Sequence, residues 1–295
     1  MALPTKAMVT YAARIEENSS MTLWRIILFP LLLACFFSAY PSYAANTDCP
    51  ISCSAHSRSQ ESCQDMIFGM IPTHDNANEI KVCHKHYLVG ANIVSKTPNW
   101  VAYHLTSAYI PQPDISREKY YCPDPCLNSG QRAEPMDYTG LYPKYNRGHM
   151  TPAKDNKWDL DSYQESFYLS NIVPQQPDNN NGIWLQLEND IDVWLKTYGE
   201  LYIITGPIYD YQGIKHQEIG ENKVWAPVAL FKIIYAPNQQ LVLSFIIPNQ
   251  PIPASALPRY LTSISTINQW TDLNLFADLP PTLKDSVPTS LWPLQ

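Results

Sequence analysis

The sequence predicts an α+β fold, with a central, largely antiparallel sheet flanked by helices. Strand-like and helix-like segments mix along the chain without the strict alternation that marks a parallel sheet. The clearest strand pair, Pro227–Tyr235 and Leu241–Ile247, is joined by a turn at Pro237-Asn238, as antiparallel neighbours are. The 295 residues, 45% apolar and 16% charged, can bury a full core and lack the composition of a disordered chain. With 26 Pro against 10 Gly and 19 Tyr, that chain is expected to carry many ordered loops.

From the N-terminus, Leu23 to Ala39 is nearly all apolar, with Arg25 near its start and Ser42-Tyr43-Ala44 after it. An apolar run ending in small-x-Ala is the pattern of a cleaved secretory signal, here residues 1–44, and Met21 is an alternative start. Two other readings stand beside it. The run could anchor the chain in a membrane, although it is short for a span. Leu32-Leu33-Ala34-Cys35 also resembles a bacterial lipobox, with Cys35 as the lipidated residue. Cys49, Cys53, Cys63, Cys83, Cys122 and Cys126 then give up to three disulfides in an exported chain, with pairing left open. A zinc site from Cys49, Cys53, Cys83 and His86 is the competing reading.

Residues 45–65 read as a Cys-rich lead-in, 66–280 as one domain and 281–295 as a tail. Lys85–Val94 and Trp100–Ala108 look like strands with a turn at Thr97-Pro98-Asn99. Pro111–Gly140 is a Pro-rich run of loops. Asn180–Tyr198 is the clearest helix: Ile183, Trp184, Leu187, Ile191, Trp194 and Leu195 recur at helical spacing and Gly199 ends it. Leu201–Thr205 reads as a buried strand and Thr262–Trp270 as a last helix. No internal repeat is visible.

The net charge is −7, and −8 once Lys6, Arg14, Arg25, Glu16 and Glu17 of the leader are set aside. A stoichiometric nucleic-acid binder is usually basic, so a coating or storage role is disfavoured. An enzyme that releases its product needs only a local positive groove.

The chemistry concentrates in two segments. In Tyr145-Asn146-Arg147-Gly148-His149-Met150-Thr151-Pro152-Ala153, His149 can act as a general base, since an ordinary imidazole is largely neutral at pH 7. Arg147 can grip a phosphate oxygen with its planar fork. Gly148 permits close approach of backbone or substrate. In the second, Asn179-Asn180-Asn181-Gly182-Ile183-Trp184 leads to Leu187-Glu188. An Asn oxygen suits Mg²⁺, which keeps most of its waters, and Glu188 could hold those waters. The Asn run could equally be a helix cap. On one straight helix Asn180 and Glu188 would be separated by a rise of about 12 Å, so water must mediate or the chain must bend near Asn180.

Together these segments resemble the DNA/RNA non-specific endonuclease family, ββα-metal nucleases that include the Serratia-type enzyme and endonuclease G. The likeness runs from Asp65 to Leu279. It is carried by Pro98-Asn99-Trp100-Val101-Ala102-Tyr103; Arg117, Tyr121 and Asp124-Pro125; Asn146-Arg147-Gly148-His149; Ser170-Asn171-Ile172-Val173-Pro174-Gln175; Thr205-Gly206-Pro207; Phe231-Lys232; and Ile247-Pro248-Asn249. The resemblance implies a secreted enzyme that hydrolyses DNA and RNA to 5′-phosphate products and has no stable membrane association. It implies His149 as base, Asn180 as the single direct ligand of Mg²⁺ (Mn²⁺ being the alternative), Glu188 acting through water, and Arg147 and Arg117 on phosphate. Two residues depart from the family pattern. Asn146 replaces an Asp, and Asp192 stands where some relatives carry Arg, leaving Lys144 or Lys154 to supply that contact. A nucleic-acid-binding protein that has lost catalysis, and a phosphodiesterase or phosphatase acting on small molecules, are the alternatives.

Overall fold

Six strands form the central sheet in the order β1-β2-β3-β6-β7-β8: β1 Glu79–Cys83, β2 Tyr87–Asn92, β3 Thr97–Thr106, β6 Glu200–Ile208, β7 Ala229–Ala236 and β8 Leu241–Pro248. Every neighbouring pair is antiparallel, as the sequence predicts. The computed structural model describes Cys49 and residues 71–74, 76–109, 115–116 and 121–294. The signal segment with Met21 and Cys35, most of the Cys-rich lead-in, and Arg117 lie outside the described residues. Among those described, no helix is long and apolar enough to cross a membrane.

The strand sequences are apolar on both sides because both sheet faces are covered. One face packs Val101, Tyr103, Ile203 and Ile234 against the helix α2 (Leu185–Tyr198) through Leu187, Ile191 and Trp194. The other packs Phe231, Ile233 and Ile246 against Ile264 and Ile267 of α3 (Ile264–Thr271) and against Leu275 and Phe276. The helix stop anticipated at Gly199 is in place, and Ser263 caps the next helix. Gly199 ends α2 at φ 82°, a value few side chains accept, and Ser263 Oγ receives the amide of Thr266.

The first hairpin corrects the sequence reading. Its turn is Ile93–Lys96, not Thr97-Pro98-Asn99, which lies inside β3. Asn92 Oδ1 closes the turn by accepting from the amides of Val94 and Ser95. Pro98 is tolerated in a strand because the register slips beside it: Gly90 faces Trp100 and Ala91 faces Pro98, so Asn99 is an extra residue. The sequence reading also missed β1 and a short helix, α1 (Leu160–Glu165), whose periodic signal is too brief to read.

A separate two-stranded ribbon, β4 (Asn146–His149) with β5 (Ile172–Gln175), lies apart from the sheet. Buried polar groups hold it. Asp124 accepts from Ser170 Oγ at 2.5 Å, meets His84 Nε2 at 3.0 Å and receives the Cys126 amide. Neighbouring Cys122 is bonded to Cys49, and Cys83 and Cys126 are also disulfide-bonded. The zinc reading therefore fails, because the thiolates of Cys49 and Cys83 are already used.

Burial raises the Asp124 carboxyl, but His84, Ser170 and the Cys126 amide outweigh it and the net shift is downward from 3.8. Burial lowers the His84 imidazole, but the Asp124 charge and hydrogen bond outweigh it and the net shift is upward from 6.5. The carboxylate's contribution is present above about pH 4 and fades as pH falls through its folded value; the imidazolium's is present below about 6.5 and fades as pH rises through its folded value. Thermal unfolding across pH should therefore show the pair's support greatest between those limits. His84→Leu, which leaves Asp124 buried and alone, should cost about 3–5 kcal/mol in denaturant titrations and flatten that profile.

Candidate active site

The ribbon positions the first functional side chains. Alternation along a strand puts Arg147 and His149 on one face of β4 and Asn146 and Gly148 on the other. Asn146 thus shares the face of Gly148, and the Asp-to-Asn departure falls away from the His149 ring. His149 stands edge-on to Phe167 at 5.1 Å and tilted to Tyr121 at 5.5 Å. The Arg147 guanidinium lies over Tyr121 at 5.0 Å and near Tyr138 at 5.8 Å. Its buried Nε has no hydrogen-bond partner among the described residues. On the opposite face, a Cβ at Gly148 would lie 2.0 Å from Gln175 Oε1, so the glycine makes room for that side chain.

Gln175 starts a relay to the Asn run. Its Nε2 donates to Asn179 Oδ1 at 2.8 Å, and Asn179 Nδ2 donates to the carbonyls of Pro248 and Gln250. Asn179 is fully buried and committed, and Asn181 is exposed. Asn180 lies between them, its backbone amide donating to the Gln176 carbonyl at 2.9 Å and its side-chain Nδ2 to Asn181 Oδ1 at a long 3.5 Å. The helix cap anticipated for this run is absent; instead Asn179–Trp184 forms a widened turn whose backbone leaves helical values at Gly182 (φ −107°, ψ −107°). That bend answers the 12 Å difficulty of a straight helix. Asn180 and Glu188 both line one cleft of about 360 Å³ with His149, Lys154, Lys157 and Phe167.

Beneath the cleft lies a charged floor. Burial raises the Glu188 carboxyl, against the pull of Lys232 and Lys154. Burial lowers the Lys232 ammonium, against Glu188 and Asp155, and its Nζ sits 4.6 Å over the Trp184 ring. Burial also pushes Asp155 up to about 7. Lys154 Nζ donates to Asp192 Oδ2 at 2.7 Å and to the Glu188 carbonyl at 2.9 Å. Of the two substitutes considered for the missing Arg, Lys154 reaches the cleft wall while Lys144 sits over the Tyr145 ring at 5.3 Å. The donor set fits a hydrated hard cation: one amide oxygen from Asn180 and one carboxylate from Glu188, with water left to complete the shell. No group of three or more His, Cys, Asp or Glu side chains that could hold an ion occurs among the described residues.

Residues 70–282 match the pattern of the family described as DNA/RNA non-specific endonuclease. The chain belongs to that family. It is 28% identical to the nuclease of Serratia marcescens over 224 residues, covering 73% of this chain and 82% of the relative. It is 34% identical to the mitochondrial nuclease EXOG of Danio rerio over 53% of this chain and 49% of the relative, and 30% identical to human mitochondrial endonuclease G over 58% and 60%. The chain thus spans about half to three fifths of those mitochondrial relatives. A crystal structure of an EndoG/EndoGI complex matches with TM-score 0.67 at 25% identity, covering 75% of this chain and 94% of that one. The ribbon followed by the bent helix gives a ββα order along this chain.

Within the family fold, His149, Asn180 and Glu188 line one cleft and Arg147 shares the Tyr121 ring with His149, while Arg117 lies outside the described residues. Sequence reading missed Lys157 on the cleft wall and the amides of Asn171, Gln175 and Asn249 that hold the ribbon. Those amides sat in recognised segments, but no local pattern tells a buried clamp from a ligand. Gly148→Ala should displace Gln175 and lower stability by about 1–3 kcal/mol in urea titrations, whereas Gly213→Ala, where a Cβ meets open space, should show only the smaller cost of its positive φ.

Proposed function

We propose that this chain is a divalent-metal-dependent endonuclease that hydrolyses DNA and RNA without sequence preference and leaves 5′-phosphate ends. The observation that carries the reading is the single cleft lined by His149, Asn180 and Glu188, brought from the ribbon, the widened turn and α2. Neutral His149 takes a proton from the water that attacks phosphorus in line with the P–O3′ bond. Phe167 and Tyr121 fix the imidazole's orientation. Arg147, steadied by Tyr121, holds a phosphate oxygen, with Arg117 as a second phosphate contact. Asn180 would hold Mg²⁺, or Mn²⁺ in its place, directly, and Glu188 would hold it through water. A cation held there would supply positive charge and acidic water to the reacting phosphate. Because the grip is on backbone rather than base edges, sequence should matter little.

Digestion of plasmid DNA and total RNA tests this reading. Both should be cut with Mg²⁺, neither with EDTA, and His149→Ala should lose about 10²–10⁴-fold of the rate. Full activity in His149→Ala removes the proposed base.

We also propose export of the mature chain to the periplasm or medium after cleavage at Ala44. The disulfides of the described chain support an oxidising destination. N-terminal sequencing of the exported protein should begin at Ala45; a lipid-modified Cys35 would replace this with an anchored product.

A further inference from the structure

A second cavity, of about 220 Å³, adjoins the active cleft and shares Lys154 with it. Tyr109, Lys154, Asp155, Asp192 and Lys196 line it, with two leucines as apolar surface. Tyr109 is held rigidly there. Its ring stacks on Trp158 at 3.9 Å and 4°, and Trp158 packs against His86 at 4.0 Å. At the partition between the two cavities, Lys154 and Asp192 are paired at 2.7 Å, so an ammonium donor and a carboxylate acceptor stand side by side. Lys196 adds an exposed cation beyond them.

A flat ring with both donors and acceptors on its edge, joined to a phosphate, meets each of these features. We propose that this cavity is a subsite for one unpaired nucleobase of the polynucleotide strand held in the active cleft. The base continues the Trp158–Tyr109 stack, its polar edge meets Asp192 and Lys154, and Lys196 faces the adjoining phosphate. The cavity is smaller than ordinary drug-sized pockets, which suits one ring system and no more. A base paired in a duplex is not available to it, so the subsite favours single strands and loops over intact double helix.

This proposal rests on the nuclease reading for its substrate, and two measurements separate the failures. The first is anisotropy of a fluorescein-labelled short single strand, and of a labelled blunt-ended, fully paired duplex, with His149→Ala protein in EDTA, which needs no cleavage. Adding Tyr109→Ala should weaken single-strand binding roughly tenfold and leave the duplex within twofold, whereas Tyr109→Trp should restore it. Lys196→Gln, an exposed change that spares the fold, should weaken single-strand binding several-fold. The second measurement is cleavage by protein with His149 intact, where Tyr109→Ala should raise KM for the single strand about tenfold at unchanged kcat. Equal losses on both substrates, or no loss on the single strand, overturn the subsite. A protein that cuts both polymers with no dependence on Tyr109 keeps the nuclease reading and loses the subsite. One that cuts nothing but binds single strands through Tyr109 does the reverse.

Discussion

A two-stranded ribbon outside a sheet is marginal by itself, yet this one carries His149 and Arg147. Its geometry depends on side-chain amides that satisfy backbone the sheet does not reach. Asn171 Oδ1 accepts from the Thr151 amide while its Nδ2 donates to the carbonyls of Thr151 and Ser166. Asn249 Nδ2 donates to the carbonyls of Pro174 and Pro227, and its Oδ1 accepts from the Gln176 amide. An amide can donate and accept from one rigid group, so a single Asn ties two strands where a hydroxyl or carboxylate would leave a partner unmet. An unpaired buried backbone group costs about 1–3 kcal/mol, so these clamps decide where the imidazole stands.

The second constraint is electrostatic. The sheet brings an ammonium, Lys232, into the core directly under the helix that carries Glu188. A buried carboxylate is tolerable only with compensating charge or hydrogen bonds. Lys232 and Lys154 supply that charge from the strand side and the loop side, and Trp184 offers its ring to the ammonium. The net negative charge of the whole chain is therefore a poor guide to the cleft, whose walls carry Lys154 and Lys157.

Much of this was legible in the sequence. The strand pair around Pro237-Asn238, the helix through Trp194 and its Gly199 stop each follow from periodicity and turn chemistry, which are local. The ribbon was not legible, because four-residue strands carry no period long enough to read and their stability comes from residues far along the chain. The first turn was misplaced because Pro98 signals a turn unless a bulge beside it relieves the missing donor. At the site, residue types together with the family resemblance pointed to His149, Asn180 and Glu188, whereas the bend at Gly182 between the last two is a backbone fact no side chain announces. Lys232 was noticed only as part of a dipeptide; its place under Glu188 depends on sheet register.

Gly148 and Gln175 lie opposite faces of the same exchange, separated by 27 positions in sequence yet competing for one volume. Gln175 fills the space that the missing Cβ leaves, then passes its hydrogen bond to Asn179. The two positions are consequently not free to vary one at a time. A lineage could acquire a side chain at 148 only after shortening residue 175, and shortening 175 first would leave Asn179 without its donor. Drift at this pair is thus closed in both directions, by a side chain that lies on the ribbon face opposite His149.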